Sequence, residues 1–168
     1  MARIFGRGYF PHQFAWLIDN PLRRLLVNPA RFANSLRLRD ANRILEIGPG
    51  SGYFSVELAR RVPNGQLELL DLQVEMLAKA KRKLQAIATT NVSYTAADLN
   101  AGLPYRDGSF DVIVMIAVLG EVSDKPEALR SCYQGLRSGG VLAVHEHVPD
   151  PDLIKLKGVR SHFSGRLS

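Results

Sequence analysis

Arg43-Ile44-Leu45-Glu46-Ile47-Gly48-Pro49-Gly50-Ser51-Gly52-Tyr53-Phe54 decides how the remainder of the chain is read. Ile44, Leu45 and Ile47 give the short apolar run that a strand needs when both of its faces are covered. Gly48, Gly50 and Gly52 then occupy alternate positions. Glycine permits a tight turn and lets a ligand approach the backbone with no Cβ in the way. From Ser51 the apolar spacing becomes helical, so the turn brings free N–H groups and a positive dipole end to whatever lies above it. The spacing is not the G-x-G-x-x-G of dinucleotide binders. Counted from Gly48 the third glycine falls on Tyr53, and counted from Gly50 it falls on Ser55. Glu46 stands just before the turn. A carboxylate there repels a pyrophosphate and suits a ligand that carries an ammonium group.

The pattern Glu46-x-Gly48-x-Gly50-x-Gly52 resembles the first motif of class I S-adenosylmethionine-dependent methyltransferases. In that family the glycine turn holds the methionine part of the cofactor. The resemblance implies a Rossmann-like parallel sheet of order 3-2-1-4-5, with helices on both faces and N-terminal helices that lid the cofactor. It covers roughly residues 10–152 and divides the chain into a helical lid over residues 1–40, a cofactor-binding domain over 41–152 and a divergent tail over 153–168.

The downstream residues fit this frame. Gln66-Leu67-Glu68-Leu69-Leu70 reads as a second strand ending in Asp71, 19 residues after Gly52. A β-α-β unit of that length brings the acid beside the first turn, where it accepts both hydroxyls of a ribose. The alternative is that Asp71 caps the next helix. That helix is expected from Gln73 to Ile87, with Leu77, Ala80, Leu84 and Ile87 inward. Asn91 to Thr95 is a third strand, and Asp98 comes after it where the family places an acceptor near the adenine amino group. Leu72 and Leu99 are then expected to sandwich the ring. Val112 to Ile116 reads as a central parallel strand, and Ile116 at its carboxyl end completes the cofactor set. The Phe110-Asp111 that opens this region and the Arg137-Ser138-Gly139-Gly140 that closes the next helix also match family phrasing. Strand five is expected over Val141 to Val144.

The acceptor side is less sharply written. Three helices are expected before the first strand: Pro11 to Asp19, a second from Asn20-Pro21, and a third from Asn28-Pro29 through Phe32 and Leu36. They place His12 and Trp16 as substrate-pocket candidates, with Glu121 after the fourth strand and Glu146 after the fifth. Many relatives carry a histidine where this chain has Gly120, so no obvious general base is present and Glu121 is the one weak catalytic candidate. His145 and His147 put both rings on one face of a strand, but two ligands are too few for a metal, and none is expected.

Composition bounds the rest. A chain of 168 residues, 46% hydrophobic and 23% charged, fits a single globular domain. One cysteine, Cys132, excludes a disulfide framework and sits on an apolar helix stripe. No apolar run has the length of a membrane span, and the N-terminus lacks the apolar core of a signal peptide, so a cytoplasmic location is expected. The net charge of +6 is spread without an aromatic-interleaved stripe, so no nucleic-acid partner is expected.

Family members continue past strand five through another helix and two strands, and Leu153 to Ser168 carries no such pattern. The chain is therefore expected to lack that hairpin and to leave strand five as a bare edge, where a second copy could pair. The expected function is methyl transfer from S-adenosyl-L-methionine to a small hydrophobic or aromatic acceptor, quinone-like molecules included. The alternatives are a truncated, non-catalytic cofactor- or partner-binding domain and, more weakly, an NAD-dependent oxidoreductase.

Overall fold

The computed structural model describes residues 28–145. A five-stranded parallel sheet runs in the order β3-β2-β1-β4-β5. The strands are β1 (Arg43–Ile47), β2 (Gln66–Asp71), β3 (Val92–Ala96), β4 (Phe110–Ile116) and β5 (Leu136–His145). Helices α1 (Pro29–Ser35), α2 (Ser55–Arg61), α3 (Val74–Gln85) and α4 (Lys125–Gly135) connect or flank them, with short 3-10 turns at Leu99–Ala101 and Leu119–Glu121.

β4 is buried along its whole length, and β1 at every residue after Arg43. This is why both read as continuous apolar runs rather than alternating ones. Two clusters lie on opposite faces of the sheet. Ile44, Leu67, Leu69, Val112 and Val114 pack with Leu58, Leu77, Ala80 and Leu84 from α2 and α3. Leu45, Ile47, Ile113 and Met115 pack with Ala128, Leu129 and Cys132 from α4. The Cys132 thiol is fully buried, and burial pushes its pKa up to about 12, as suits a core residue rather than a nucleophile.

Several element boundaries differ from the sequence reading. The first crossover helix starts at Ser55, not Ser51, because Gly50 and Gly52 have φ of +56° and +81°, outside the helical region. α3 is shorter at both ends than expected. Arg137 to Gly140 does not close α4. The helix stops at Gly135, Leu136 pairs at once with Phe110, and the register then shifts so that Val112 faces Val141. The glycine pair is thus a bulge within β5. β3 ends one residue later than read, at Ala96.

α1 begins as the Asn28-Pro29 signature requires: the Asn28 side chain accepts the N–H groups of Ala30 and Arg31. Phe32 of α1 packs edge-on against Phe54 and against His145, at centroid separations of 5.5 and 6.2 Å. The first two expected N-terminal helices, Glu146 and the divergent tail lie outside the described residues.

Candidate functional site

Parallel sheets present ligands at the carboxyl ends of their strands. Here the ends of β1, β2, β3 and β4 surround one cavity of about 350 Å³, within the size range of small-molecule sites.

The floor is the glycine turn. The Gly48 N–H donates to the Leu70 carbonyl at 2.8 Å, which locks the turn to the end of β2. Gly48 has φ of +64°, and a Cβ there would collide with Cγ2 of Val118. Two independent constraints therefore demand glycine. Gly50 also lines the cavity. Gly52 does not: its missing Cβ leaves room for Ala80, whose Cα and Cβ would lie 3.0 Å from it. Its place in the motif is to seat α3 against the turn.

Glu46, near the end of β1, is 2% exposed, and the Ser55 hydroxyl donates to its Oε2 at 2.6 Å. Burial pushes the carboxyl up to about 7, the nearby Asp71 charge adds to the rise, and the Ser55 hydrogen bond opposes it. Asp71 is also raised by burial, against the pull of backbone N–H groups of Gln73, Gly50 and Leu72. Its Oδ1 accepts the Gln73 N–H at 2.9 Å. The helix-start role and the cavity-lining position thus belong to the same side chain, and the Gly50 contact ties β2 to the floor.

The far wall comes from β3. Asp98 caps the 3-10 turn at Leu99–Ala101, and its Oδ1 accepts the Asn100 N–H at 2.9 Å. Leu72 and Leu99 both line the cavity, Leu72 half exposed at the rim and Leu99 buried into the α4-side core. Ile116, 7% exposed, ends β4 at the near wall. After it the chain turns through Ala117, a non-glycine residue at φ of +57° whose N–H donates to the His145 carbonyl at 2.8 Å. Such a conformation costs an L-residue roughly 1 kcal/mol, and it swings Val118 over Gly48. Glu121 sits exposed in the next 3-10 turn and also lines the cavity.

The structure therefore gathers Glu46, Gly48, Gly50, Asp71, Leu72, Asp98, Leu99, Ile116 and Glu121 around one cavity and leaves Gly52 behind it. His12, Trp16 and Glu146 lie outside the described residues. Sequence reasoning missed Gln73, Met76 and Asn100 as lining residues. Gln73 and Asn100 each stand two residues past an acid already singled out, which was a usable signal. Val118 follows the carboxyl end of β4, the rim where a ligand is expected, and the turn at Ala117 sets it over Gly48. Among the described residues no group of three or more His, Cys, Asp or Glu side chains is placed to hold a metal ion. No described helix is long and apolar enough to cross a membrane.

A family model described as a methyltransferase domain matches residues 44–140. The ubiquinone/menaquinone biosynthesis C-methyltransferase UbiE of Pasteurella multocida is 35% identical over 111 residues, which are 65% of this chain and 41% of that protein. Its counterpart in Dinoroseobacter shibae is 33% identical over 120 residues, 70% of this chain and 48% of that protein. The matched part is thus less than half the length of these curated relatives. Among solved structures, a SAM dependent methyltransferase from Aquifex aeolicus superposes with a TM-score of 0.79 at 22% identity, covering 90% of this chain and 85% of that one. With the sheet order and the glycine turn already in place, these matches settle the family: the chain belongs to the methyltransferase domain family and has the Rossmann-like fold of class I S-adenosylmethionine-dependent methyltransferases.

Proposed function

We infer that this chain binds S-adenosylmethionine in the cavity at the strand ends and transfers its methyl group to a small hydrophobic or aromatic acceptor, of the quinone-related kind indicated by the names of its curated relatives. One observation carries the reading. Three carboxylates, Glu46, Asp71 and Asp98, stand at the ends of three neighbouring strands around a glycine floor. Each matches a different donor on the cofactor: an ammonium group, the ribose hydroxyls and the adenine amino group. The apolar Leu72 and Leu99 line the same cavity, which suits an aromatic ring between them. The acid beneath the turn counts against a pyrophosphate-bearing nicotinamide cofactor.

When bound, the cofactor supplies a methyl group activated on a sulfonium. What remains for the protein is to hold an acceptor in line and to keep water out. No side-chain nucleophile is required, in keeping with a lone cysteine sealed in the core. Glu121 at the cavity rim orients the acceptor side.

The test is transfer of label from methyl-labelled S-adenosylmethionine to a series of small aromatic acceptors, quinols first. Label recovered in an acceptor supports the reading. A folded protein that binds the cofactor but labels none of them contradicts the acceptor class.

A further inference from the structure

Asn100 lies in the 3-10 turn between β3 and β4 and lines the cavity. Its backbone N–H and its side-chain Nδ2 both donate to the same oxygen of Asp98, Oδ1, at 2.9 and 2.8 Å. Its own Oδ1 accepts the N–H of Ser123 at 2.9 Å. Ser123 closes the segment that carries Glu121 and Val122, which also line the cavity. Nearby, the Leu103 N–H donates to the Ser131 hydroxyl at 2.8 Å and anchors the same stretch to α4.

A capping carboxylate held by one backbone N–H keeps freedom about its terminal torsion, which is broad for aspartate. A second donor on the same oxygen removes that freedom. The oxygen left over, Oδ2, is then fixed in direction. An amide suits this task because it donates to the carboxylate and accepts from a backbone N–H at once.

We propose that Asn100 is the positioning residue for purine recognition: it pins Asp98 by one oxygen, so that the other is presented to the exocyclic amino group of adenine. The proposal rests on the S-adenosylmethionine reading above and deepens it. Asn100 need not touch the ligand; it acts through Asp98. By bridging to Ser123 it also joins the adenine wall to the acceptor-side wall.

The readout is base preference, which a merely structural role would not move. Wild type, Asn100→Ala and Asn100→Asp are titrated calorimetrically with S-adenosylhomocysteine and with its analogue bearing hydrogen in place of the 6-amino group. Wild type is expected to favour the amino form about tenfold, the worth of one hydrogen bond to a charged acceptor. Asn100→Ala is expected to bring the two ligands near parity by weakening the amino form alone. Asn100→Asp keeps an acceptor for Ser123, removes the donor to Asp98 and sets a like charge beside it, so it gives at least the same loss of preference even where the alanine variant fails to fold. Two results overturn the role of Asn100: an unchanged preference in the variants, or an equal loss for both ligands. A folded wild type that binds neither ligand overturns the cofactor reading itself, and the inference with it.

Discussion

At the scale of single residues, Glu46 occupies surroundings that a carboxylate resists. It is 2% exposed, and its pKa is pushed from 4.5 to about 7. The folded state therefore binds the proton more tightly than the unfolded chain does. The stabilisation from that proton is fully present below about pH 4.5 and is lost as the pH rises towards 7, beyond which it is flat. The full swing is about 3 kcal/mol. Urea unfolding from pH 5 to pH 8 should show wild type losing stability relative to Glu46→Gln, which cannot titrate. A difference between the two proteins that does not change with pH would contradict this role for Glu46. An ammonium-bearing ligand reverses the preference, since an opposite charge favours the ionised form. Its binding near neutral pH should release a proton from this site.

At the scale of elements, the parallel strands are tied at their amino ends as well as their carboxyl ends. Asp111 of β4 is 7% exposed; its Oδ2 accepts the Arg43 N–H of β1 at 2.6 Å, and its Oδ1 faces the guanidinium of Arg137 in the β5 bulge. The Arg137 side chain is 47% exposed, so the ion pair by itself contributes little. The part-buried hydrogen bond to the Arg43 backbone matters more. Asp111→Ala should lower stability by about 1 kcal/mol, the net worth of that hydrogen bond. A chemical denaturation midpoint indistinguishable from wild type would refute it. The central strands β1 and β4 were legible because burial on both faces makes nearly every position apolar. The start of α2 and the glycine pair of β5 were not. A glycine in the left-handed region and a bulge both look like ordinary turns until the partner strand is in place. The same divide holds for the site. Glu46, Asp71 and Asp98 were legible because each stands at the end of a strand. The bridge from Asn100 to Ser123 was not, because it arises from contact between segments far apart in sequence.

At the scale of the whole molecule, the sheet order does the assembling. β1 lies between β2 and β4, and β2 lies between β1 and β3, so the glycine floor is central and the acids line up from it along the β2 and β3 side. The crossovers that connect the strands place the two helical layers, which pack into two cores on the faces of the sheet, and the cavity lies at the carboxyl rim. A ligand that fills this rim touches the ends of four strands at once. Binding of that kind stabilises the fold by mass action. The proposed function therefore rests on one site and one ligand class. Its most direct test is calorimetric titration of the purified chain with S-adenosylhomocysteine, with Asp71→Ala beside it. Saturable micromolar binding that the variant loses is the predicted result. A folded wild-type sample that takes up no ligand would contradict it.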